Sequence, residues 1–344
     1  MIPDPLQESP DLSVYREFVS QEMGCTTPLP HAATAANGLF ELLPKLADDS
    51  PEHHLWPWNT AACLSVNAYP ANCPEIFVAM PSYNQGKFIE AAIRSVLLQN
   101  YPKLTFVLFD ADSNDQTQTI IEKYRECLSF VRIGADRGQG HAINMAFSLA
   151  NNSGLLGWLN SDDMYLPGAL SRVATEFCRD PNVDFLYGDG VEINEDCSSH
   201  SLQCAGVVHP SFRRYPGTIF SHSAFWSTRV HQPIWEQLEC AVDYELWIRI
   251  LPECRRIRYL PYPLGAIRVH HDAKSHDPAL VASWENDKVL NGQRHRHLYG
   301  PDPIRRLAHR LVNRFSRSIR ISKLTQNAAT TLQKTNWPQA ESQD

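Results

Sequence analysis

The sequence predicts an α/β fold in which helices flank a mixed, mainly parallel sheet. Short apolar runs of strand length alternate with longer stretches whose apolar residues recur at helical spacing. Each apolar run ends in a polar cluster, and 344 residues are enough to bury a large core. Because parallel strands bring their carboxyl ends to one edge of a sheet, these clusters should share the edge where ligands bind in α/β proteins.

The alternation begins with a strand at Glu75 to Met80 and a helix from about Gly86 to Gln99. In chain order, the remaining predictions are the strand Leu104 to Phe109, the helix Gln118 to Cys127, the strand Phe130 to Ile133, the helix His141 to Ala150, the strand Leu155 to Leu159, the helix Pro167 to Cys178, the strand Val183 to Tyr187, the helix Cys240 to Leu251 and the strand Tyr259 to Val269.

Composition indicates a cytoplasmic protein with an ordinary core. The chain is 43% hydrophobic and 20% charged, and its net charge of −7 argues against a general nucleic-acid binder. None of its nine cysteines forms a C-x-x-C pair, so the spacing suggests neither a disulfide framework nor zinc. The N-terminus lacks the basic and apolar regions of a signal peptide, and no apolar run is long enough to span a membrane.

The predicted domain covers residues 75–300 and follows an irregular N-terminal extension or linker, residues 1–74. The extension is acidic and rich in Pro, Ser and Asn, with plausible helices only at Leu12 to Met23 and Gly38 to Ala47. Trp56 and Trp58 are an exception, since two tryptophans around a proline would be costly to leave in water. We expect them to dock on the domain.

A basic amphipathic helix is predicted within residues 301–323. Between 304 and 323, apolar residues fall on one helical face, basic residues supply the charge, and no acidic residue occurs. This pattern is typical of a helix on an anionic membrane, which would hold the protein at the inner membrane face. The alternative is a helix packed on the acidic side of the domain. The remaining tail, 324–344, is rich in Thr, Gln and Asn and is predicted to be disordered.

Two adjacent carboxylates, Asp162 and Asp163, follow the buried strand at Leu155 to Leu159. Neighbouring carboxylates raise each other's pKa unless a cation or hydrogen-bond donors stabilise them. A hard divalent cation such as Mg²⁺ or Mn²⁺, shared with phosphate oxygens, is the usual solution. The simpler interpretation is that Ser161 or Asp162 caps a helix that begins near Pro167.

Three further segments carry candidate site residues, each with a simpler alternative. The loop from Asp136 to Gly140 contains Arg137 and precedes a helix, an arrangement that can meet phosphate or a nucleobase, although it also suits a plain turn. Asp243 lies near the start of a helix, where an acid also complements the helix dipole. Thr218 to Thr228 suits either a substrate wall or core packing.

From about Glu75 to Ser275 the chain resembles the family 2 glycosyltransferases of GT-A fold. Seven segments carry the resemblance, and they occur in the family's order. They read PSYNQGKFIEAAIRSVLLQNYP, FDADSNDQT, DRGQGHAIN, WLNSDDMYLPGAL, DFLYGD, AVDYELWIR and IRVHHDAKS. The resemblance implies a GT-A fold and transfer of a sugar from a nucleotide diphosphate to an acceptor.

The resemblance also implies a role for each matching residue. The donor nucleotide-sugar site would include Pro81, Ser82, Tyr83, Asn84, Asp110, Arg137 and Asp162. Asp163 would bind the metal, and His270 would complete the metal and diphosphate site. Asp243 would be the general base that takes the proton of the acceptor hydroxyl, so that the anomeric configuration inverts.

These roles imply an inverting transferase that uses a divalent cation, Mg²⁺ or Mn²⁺, and a nucleotide sugar, expected to be UDP-linked. The acceptor would be a glycan or a lipid-linked glycan. The processive signature Q-x-x-R-W is absent from the sequence, which favours transfer of one sugar at a time.

Two other functional classes share some of these features. A catalytically silent scaffold would keep the nucleotide-sugar pocket but has no chemical need for a base and metal ligands together. A sugar nucleotidyltransferase would share the sheet but needs a glycine-rich loop with Arg and Lys for a triphosphate. Pro81 to Lys87 does not supply such a loop.

Overall fold

A computed structural model gives the fold of this protein. It describes residues 11–24, 27–34, 36, 40–44, 55–58, 69, 72–151, 154–198, 200–208, 213, 218–271, 273–274, 277–295, 311, 320–321 and 323–337.

The described residues form one mixed sheet of nine strands. The strands are β1 (Ile76–Ser82), β2 (Leu104–Asp110), β3 (Phe130–Ile133), β4 (Leu155–Trp158), β5 (Met164–Tyr165), β6 (Val183–Asn194), β7 (His200–Gln203), β8 (Ala224–Ser227) and β9 (Arg256–Val269). Their order is β3-β2-β1-β4-β8-β6-β9-β5, with β7 paired to β6. The first four strands in this order run parallel, as do β6 and β9, whereas β8 is antiparallel to both of its neighbours.

Seven helices have well-defined bounds within the described residues. They are α1 (Leu12–Met23), α2 (Ile89–Leu97), α3 (Thr117–Tyr124), α4 (Gln139–Ser148), α5 (Ala169–Arg179), α6 (Val242–Glu253) and α7 (Val281–Arg294). A further helix covers 323–332. The predicted alternation is therefore confirmed through α5, with element ends shifted by a few residues, whereas α7 was not predicted.

The sheet separates two hydrophobic layers, and alternate residues of β1 serve both. Ile76 and Val78 pack with α2, α3 and α5, whereas Phe77 and Ala79 pack with α1, α4 and α6. This division follows from the period of two along a strand. Because both faces are covered, β1 and β2 are buried at every position, and their carboxyl ends meet at one edge of the sheet.

The described parts of the N-terminal extension pack on the domain. The Ala32 N–H donates to the Leu104 carbonyl at 2.8 Å. Trp56 is 1% exposed, and its indole donates to the Tyr165 carbonyl at 2.9 Å. The predicted docking of the tryptophan pair is thus confirmed for Trp56. Residues 11–58 are therefore more than a linker wherever they are described.

Residues 324–337 of the predicted disordered tail form a helix followed by a turn, and 338–344 lie outside the described residues. Leu324 and Ala328, on the helix at 323–332, are 2% and 1% exposed. Trp337 is buried, and its indole donates to the Trp56 carbonyl at 2.9 Å. Composition was misleading here because a few apolar residues at helical spacing, plus one tryptophan, are enough to dock a polar segment.

Most of the predicted basic helix, 304–323, lies outside the described residues. At its end, Arg320 donates to the Ala205 carbonyl at 2.6 Å, and its guanidinium lies 5.2 Å from the Tyr259 ring centroid. These contacts favour the packed alternative for this end of the segment. Among the described residues, no helix combines the length and apolar character needed to cross a membrane.

Candidate active site

A cleft of about 660 Å³ lies over the carboxyl ends of β1 and β4, a volume typical of small-molecule sites. Residues from the first strand, from the loop after β4, from the start of α6 and from α7 contribute to its wall. The lining includes Pro81, Ser82, Tyr83, Gln85, Ala111, Asp136, Gly138, Gln139, Asn160, Asp162, Asp163, Ser221, Cys240, Asp243, Arg268, Lys274 and Trp284. The polar strand ends therefore meet at one edge, as predicted.

The end of β1 supplies one wall of the cleft. The Ser82 hydroxyl oxygen is buried and has no hydrogen-bond partner among the described residues. Tyr83, in contrast, is 59% exposed beside it. A buried hydroxyl without a partner is costly, so a ligand that hydrogen-bonds to Ser82 would remove that cost.

Asn84, predicted to touch the nucleotide, instead holds the neighbouring loop. Its φ of 52° lies in the left-handed region, which asparagine tolerates. Its amide oxygen accepts from the Asn114 N–H at 3.0 Å, and its own N–H donates to the Ser113 hydroxyl at 2.8 Å. Asn84 is not among the lining residues.

Asp110 is likewise placed behind the wall. It is fully buried, and its two carboxylate oxygens accept from the N–H and the hydroxyl of Ser113, at 2.9 and 2.6 Å. Its neighbour Ala111 faces the cleft in its place. The structure therefore gives Asp110 the role of fixing the loop after β2, a role that the strand-end pattern alone did not distinguish from direct contact.

Arg137 forms an ion pair that the sequence did not indicate. Its guanidinium pairs with Glu236 at 2.9 Å, and the side chain is 63% exposed. Glu236 also accepts from the hydroxyl of Tyr15, on α1, and from the amide of Asn144 at 3.1 Å. The N-terminal helix is thus linked to the loop before α4, and Arg137 does not line the cleft.

Asp163 is a buried carboxylate, with 2% exposure. One of its oxygens accepts from the Arg268 N–H at 3.1 Å, and the other from the Asn160 amide at 3.4 Å. Burial, followed by the charge of Asp162, raises the pKa of Asp163 well above its usual range, against the opposing effect of Arg268. The predicted effect of a neighbouring carboxylate on pKa is therefore present at Asp163.

His270 contacts Asp162 rather than Asp163. Its Nε2 lies 3.2 Å from an Asp162 carboxylate oxygen, and its ring packs on Phe88 with centroids 4.5 Å apart. His270 is buried, whereas the Asp162 side chain keeps 18% exposure toward the cleft. The structure thus differs from the predicted pairing of His270 with Asp163 as metal ligands.

The donor atoms of Asp162 and His270 fit a hard divalent cation. The Asp162 carboxylate supplies an oxygen ligand of the kind that Mg²⁺ or Mn²⁺ prefers, and the His270 Nε2 lies 3.2 Å from it. The described residues contain no cluster of three or more His, Cys, Asp or Glu side chains placed for a metal ion. The fit therefore rests on two side chains, and phosphate oxygens are the usual further ligands of such a cation.

Arg268 is a site residue that the sequence analysis missed. Its guanidinium donates to the Asp162 carbonyl at 3.2 Å and lies 5.0 Å from the Phe88 ring centroid. It is 4% exposed, so its charge acts on the adjacent carboxylates in a poorly solvated setting. The signal was present, since Arg268 stands two residues before His270 on the predicted strand.

Asp243 lies in the first turn of α6, on the same cleft as the carboxylate pair. Burial raises the pKa of Asp243 to about 6, although the Tyr244 N–H donates to the carboxylate at 2.7 Å and opposes the shift. A carboxylate with a pKa near 6 is ionised at neutral pH and accepts a proton more readily than an ordinary aspartate.

The wall beside Asp243 includes Cys240, Lys274 and Trp284, none of which the sequence analysis selected. The Lys274 ammonium donates to the Gln139 side chain and to the Glu239 carbonyl, both at 3.2 Å. The Trp284 indole donates to the Lys274 carbonyl at 3.1 Å. These contacts join the start of α4 to the segment that precedes α6.

The segment at 218–228 contributes both to the core and to the wall of the cleft, which were the two predicted alternatives. Phe225 and Trp226, on β8, are fully buried core residues, whereas Ser221 lines the cleft. His222 lies beneath that wall, where burial lowers its pKa to about 4.

Comparison with known proteins yields a family model described as Glycosyl transferase family 2, which matches residues 77–221. An uncharacterized protein of Mycobacterium tuberculosis is 31% identical over 163 residues, which is 46% of this chain and 48% of that protein. An uncharacterized glycosyltransferase of Rickettsia typhi is 24% identical over 242 residues, covering 64% of this chain and 71% of that protein.

Among solved structures, TarS 1–349 of S. aureus in complex with UDP-GlcNAc is 21% identical to this chain. The likeness covers 63% of this chain and 65% of that one, with a TM-score of 0.49. The family match confirms the resemblance that the motifs carry, and the observed mixed sheet agrees with the predicted fold. Residues 77–221 of this chain thus match glycosyl transferase family 2, and the described residues form the mixed α/β sheet with flanking helices that the sequence predicted.

Proposed function

We propose that this protein is an inverting, metal-dependent glycosyltransferase that moves one sugar from a nucleotide-diphosphate donor to a hydroxyl of a glycan or lipid-linked acceptor. The observation that carries this proposal is the position of Asp243. A carboxylate with a pKa of about 6 lies on the same cleft as the Asp162 and His270 pair. Sugar transfer requires a proton acceptor and a site that stabilises the negative charge of the leaving diphosphate.

In this proposal the nucleotide lies against the end of β1, where Pro81, Ser82 and Tyr83 line the cleft. The buried Ser82 hydroxyl would gain a hydrogen bond from the donor, and the exposed Tyr83 ring offers a surface for the base. Asn84 and Asp110 would act indirectly, by fixing the loop that follows β2. UDP is the expected nucleotide.

The chemical step is a single displacement at the anomeric carbon. The acceptor oxygen forms a bond to that carbon while the bond to the donor phosphate oxygen breaks. The electron pair leaves with the nucleoside diphosphate, and the acceptor proton passes to Asp243. Attack from the face opposite the leaving group inverts the configuration, and no covalent intermediate with the protein is needed.

Asp162 and His270 would hold the divalent cation, Mg²⁺ or Mn²⁺, with Asp163 beside them. When bound, such a cation stabilises the negative charge that develops on the leaving diphosphate. Arg268 contributes a fixed positive charge next to both carboxylates. Lys274, whose described partners are neutral oxygen atoms, lies on the same cleft and adds a second cation near the expected diphosphate.

A thermal-shift panel tests the donor site. UDP, GDP, dTDP and CDP would each be added with and without Mn²⁺, since a ligand that binds only the folded state raises the melting temperature by mass action. We expect a Mn²⁺-dependent rise with UDP. If UDP, GDP, dTDP and CDP all leave the melting temperature unchanged, the donor site is absent. A rise without sugar transfer would instead favour the silent scaffold.

We also propose a cytoplasmic protein that contacts the inner membrane face through the basic residues of 304–323. Deletion of the segment is unsuitable as a test, because Trp337 beyond it packs on Trp56. Replacing Arg305, Arg306 and Arg310 by glutamine should instead lower co-sedimentation with phosphatidylserine vesicles, with phosphatidylcholine vesicles as the control. Equal sedimentation of both proteins would contradict this proposal.

A further inference from the structure

The helix that carries Asp243 begins without a cap of its own. Ala241 occupies the N-cap position of α6 and offers no side-chain acceptor. The first amide groups of a helix have no partner within the helix, so they need acceptors from elsewhere. The position of Asp243, in the first turn, depends on how this helix start is held.

Asp287, on α7, binds the amides of the three residues that lead into this helix, although it lies 46 residues further along the chain than Ala241. One of its carboxylate oxygens accepts from the N–H groups of Glu239, Cys240 and Ala241, at 3.1, 2.7 and 2.8 Å. Asp287 is 1% exposed, so these hydrogen bonds form away from water. A buried carboxylate with several amide donors is a strong and directional contact.

The three amides that Asp287 holds lead directly into the reactive part of the cleft. Ala241 precedes Asp243 by two residues, and Cys240 lines the cleft together with Asp243. Trp284 lies on α7 three residues before Asp287 and also faces the cleft. The helix α7 therefore contacts the cleft directly at Trp284 and fixes the start of α6 through Asp287.

A second buried carboxylate at the far end of α6 provides a comparison. Asp184, on β6, is 1% exposed and accepts from the Arg255 N–H at 2.6 Å, just after the helix. It also pairs with Arg229 at 2.6 Å. Asp184 does not line the cleft. Both carboxylates anchor α6, but only Asp287 anchors the turn that carries the proposed base.

We propose that Asp287 is a positioning residue that holds Asp243 in place to accept the proton of the acceptor hydroxyl. This inference rests on the proposed function, in which Asp243 is the base. A general base must lie within hydrogen-bond reach of the proton that it takes, and a displacement of about 1 Å can lower the rate about 100-fold. Replacing the carboxylate by a neutral amide would weaken all three hydrogen bonds and allow a displacement of that kind, while leaving the end of β1 unchanged.

The test uses the slow reaction in which water replaces the acceptor. UDP-N-acetylglucosamine, UDP-glucose and GDP-mannose would each be incubated with Mn²⁺, and nucleotide release would be measured for the wild type, Asp287→Asn and the control Asp184→Asn. Assays would run below the lowest melting temperature of the three proteins. We expect Asp287→Asn to lower kcat about 10-fold to 100-fold while the donor KM changes less than about twofold. Asp184→Asn should retain kcat within about twofold.

A double-mutant cycle with Asp243→Asn separates positioning from a general structural effect. If Asp287 acts through Asp243, adding Asp287→Asn to Asp243→Asn should lower the remaining rate less than about twofold. A loss as large as in the wild-type background would overturn the positioning role, as would an unchanged kcat in Asp287→Asn alone. A wild-type protein that releases no nucleotide from any donor would overturn the proposed function and, with it, this inference.

Discussion

The two sides of the cleft are built in different ways. On the donor side, the carboxylates that follow β4 are held from within the sheet: the Arg268 N–H, on β9, donates to Asp163, and His270, just after β9, contacts Asp162. On the acceptor side, the segment that leads into α6 is held from outside the sheet, by Asp287 on α7. The difference indicates that donor binding depends on the strands of the sheet, whereas the position of the base depends on the packing of α7.

The largest effect on the donor side is expected from substitutions at the Asp162 and His270 pair, measured as a change in nucleotide binding. Asp162→Asn should weaken Mn²⁺-dependent nucleotide binding at least about tenfold. The substitution removes the carboxylate that would hold the cation together with His270. Asp163→Asn is the matched variant and should retain more of the Mn²⁺ response, since its oxygens are occupied by Arg268 and Asn160.

The measurement is the Mn²⁺-dependent part of the thermal shift with UDP, recorded for both variants. Loss of this response in Asp163→Asn but not in Asp162→Asn would contradict the assignment from the structure. It would favour instead the pairing of Asp163 with His270 that the sequence predicted.

A second prediction concerns pH and stability on the acceptor side. Because burial raises the pKa of Asp243 from 3.8 to about 6, the folded protein holds this proton more tightly than the unfolded chain does. The ionised carboxylate therefore lowers stability as pH rises from about 4 to about 6, by roughly 2 to 3 kcal/mol in total, and this cost persists above pH 6. Asp243→Asn should remove the cost at pH 8 and have little effect below pH 4.

Urea unfolding of the wild type and Asp243→Asn at pH 4 and pH 8 measures this difference. The variant should be the more stable protein at pH 8 alone. Equal stability at both pH values would show that the pKa of Asp243 is ordinary, and the base assignment would lose its electrostatic support. In catalysis, the wild-type rate should rise with pH through about 6 and then level off.

The smallest effect is expected at Arg137, between the two sides. Its ion pair with Glu236 is largely exposed on the arginine side, so Arg137→Ala should change the free energy of unfolding by less than about 1 kcal/mol. Nucleotide affinity, measured by calorimetry with UDP and Mn²⁺, should change less than about threefold. A tenfold loss would show that Arg137 leaves Glu236 and reaches the donor, as the sequence predicted.

Part of the donor side could be predicted from sequence because its signals are local. The apolar run at β4 and the two aspartates after it are adjacent, and the alternation through α5 follows from hydrophobic spacing alone. Spacing also placed the strand end at Asp110 near the cleft. It could not show that Ser113, three residues later, occupies the Asp110 carboxylate.

The rest of the site was harder because its determinants are far apart in the chain. Asp163 lies 105 residues from Arg268, and Asp287 lies 46 residues from Ala241. The helix α7 has a weak apolar pattern, and the sequence does not show that Asp287 on this helix holds the segment before α6. Periodicity identifies which residues face a core but not which distant polar groups meet there.

The central claim, that donor binding and proton removal reside on separate sides of one cleft, is tested most directly with Asp243→Asn. Isothermal titration with UDP and Mn²⁺ would be combined with release of UDP from UDP-N-acetylglucosamine and UDP-glucose. We expect nucleotide affinity within about twofold of the wild type and turnover lowered at least about 100-fold. Unchanged turnover, or a loss of turnover matched by a loss of affinity, would contradict the account.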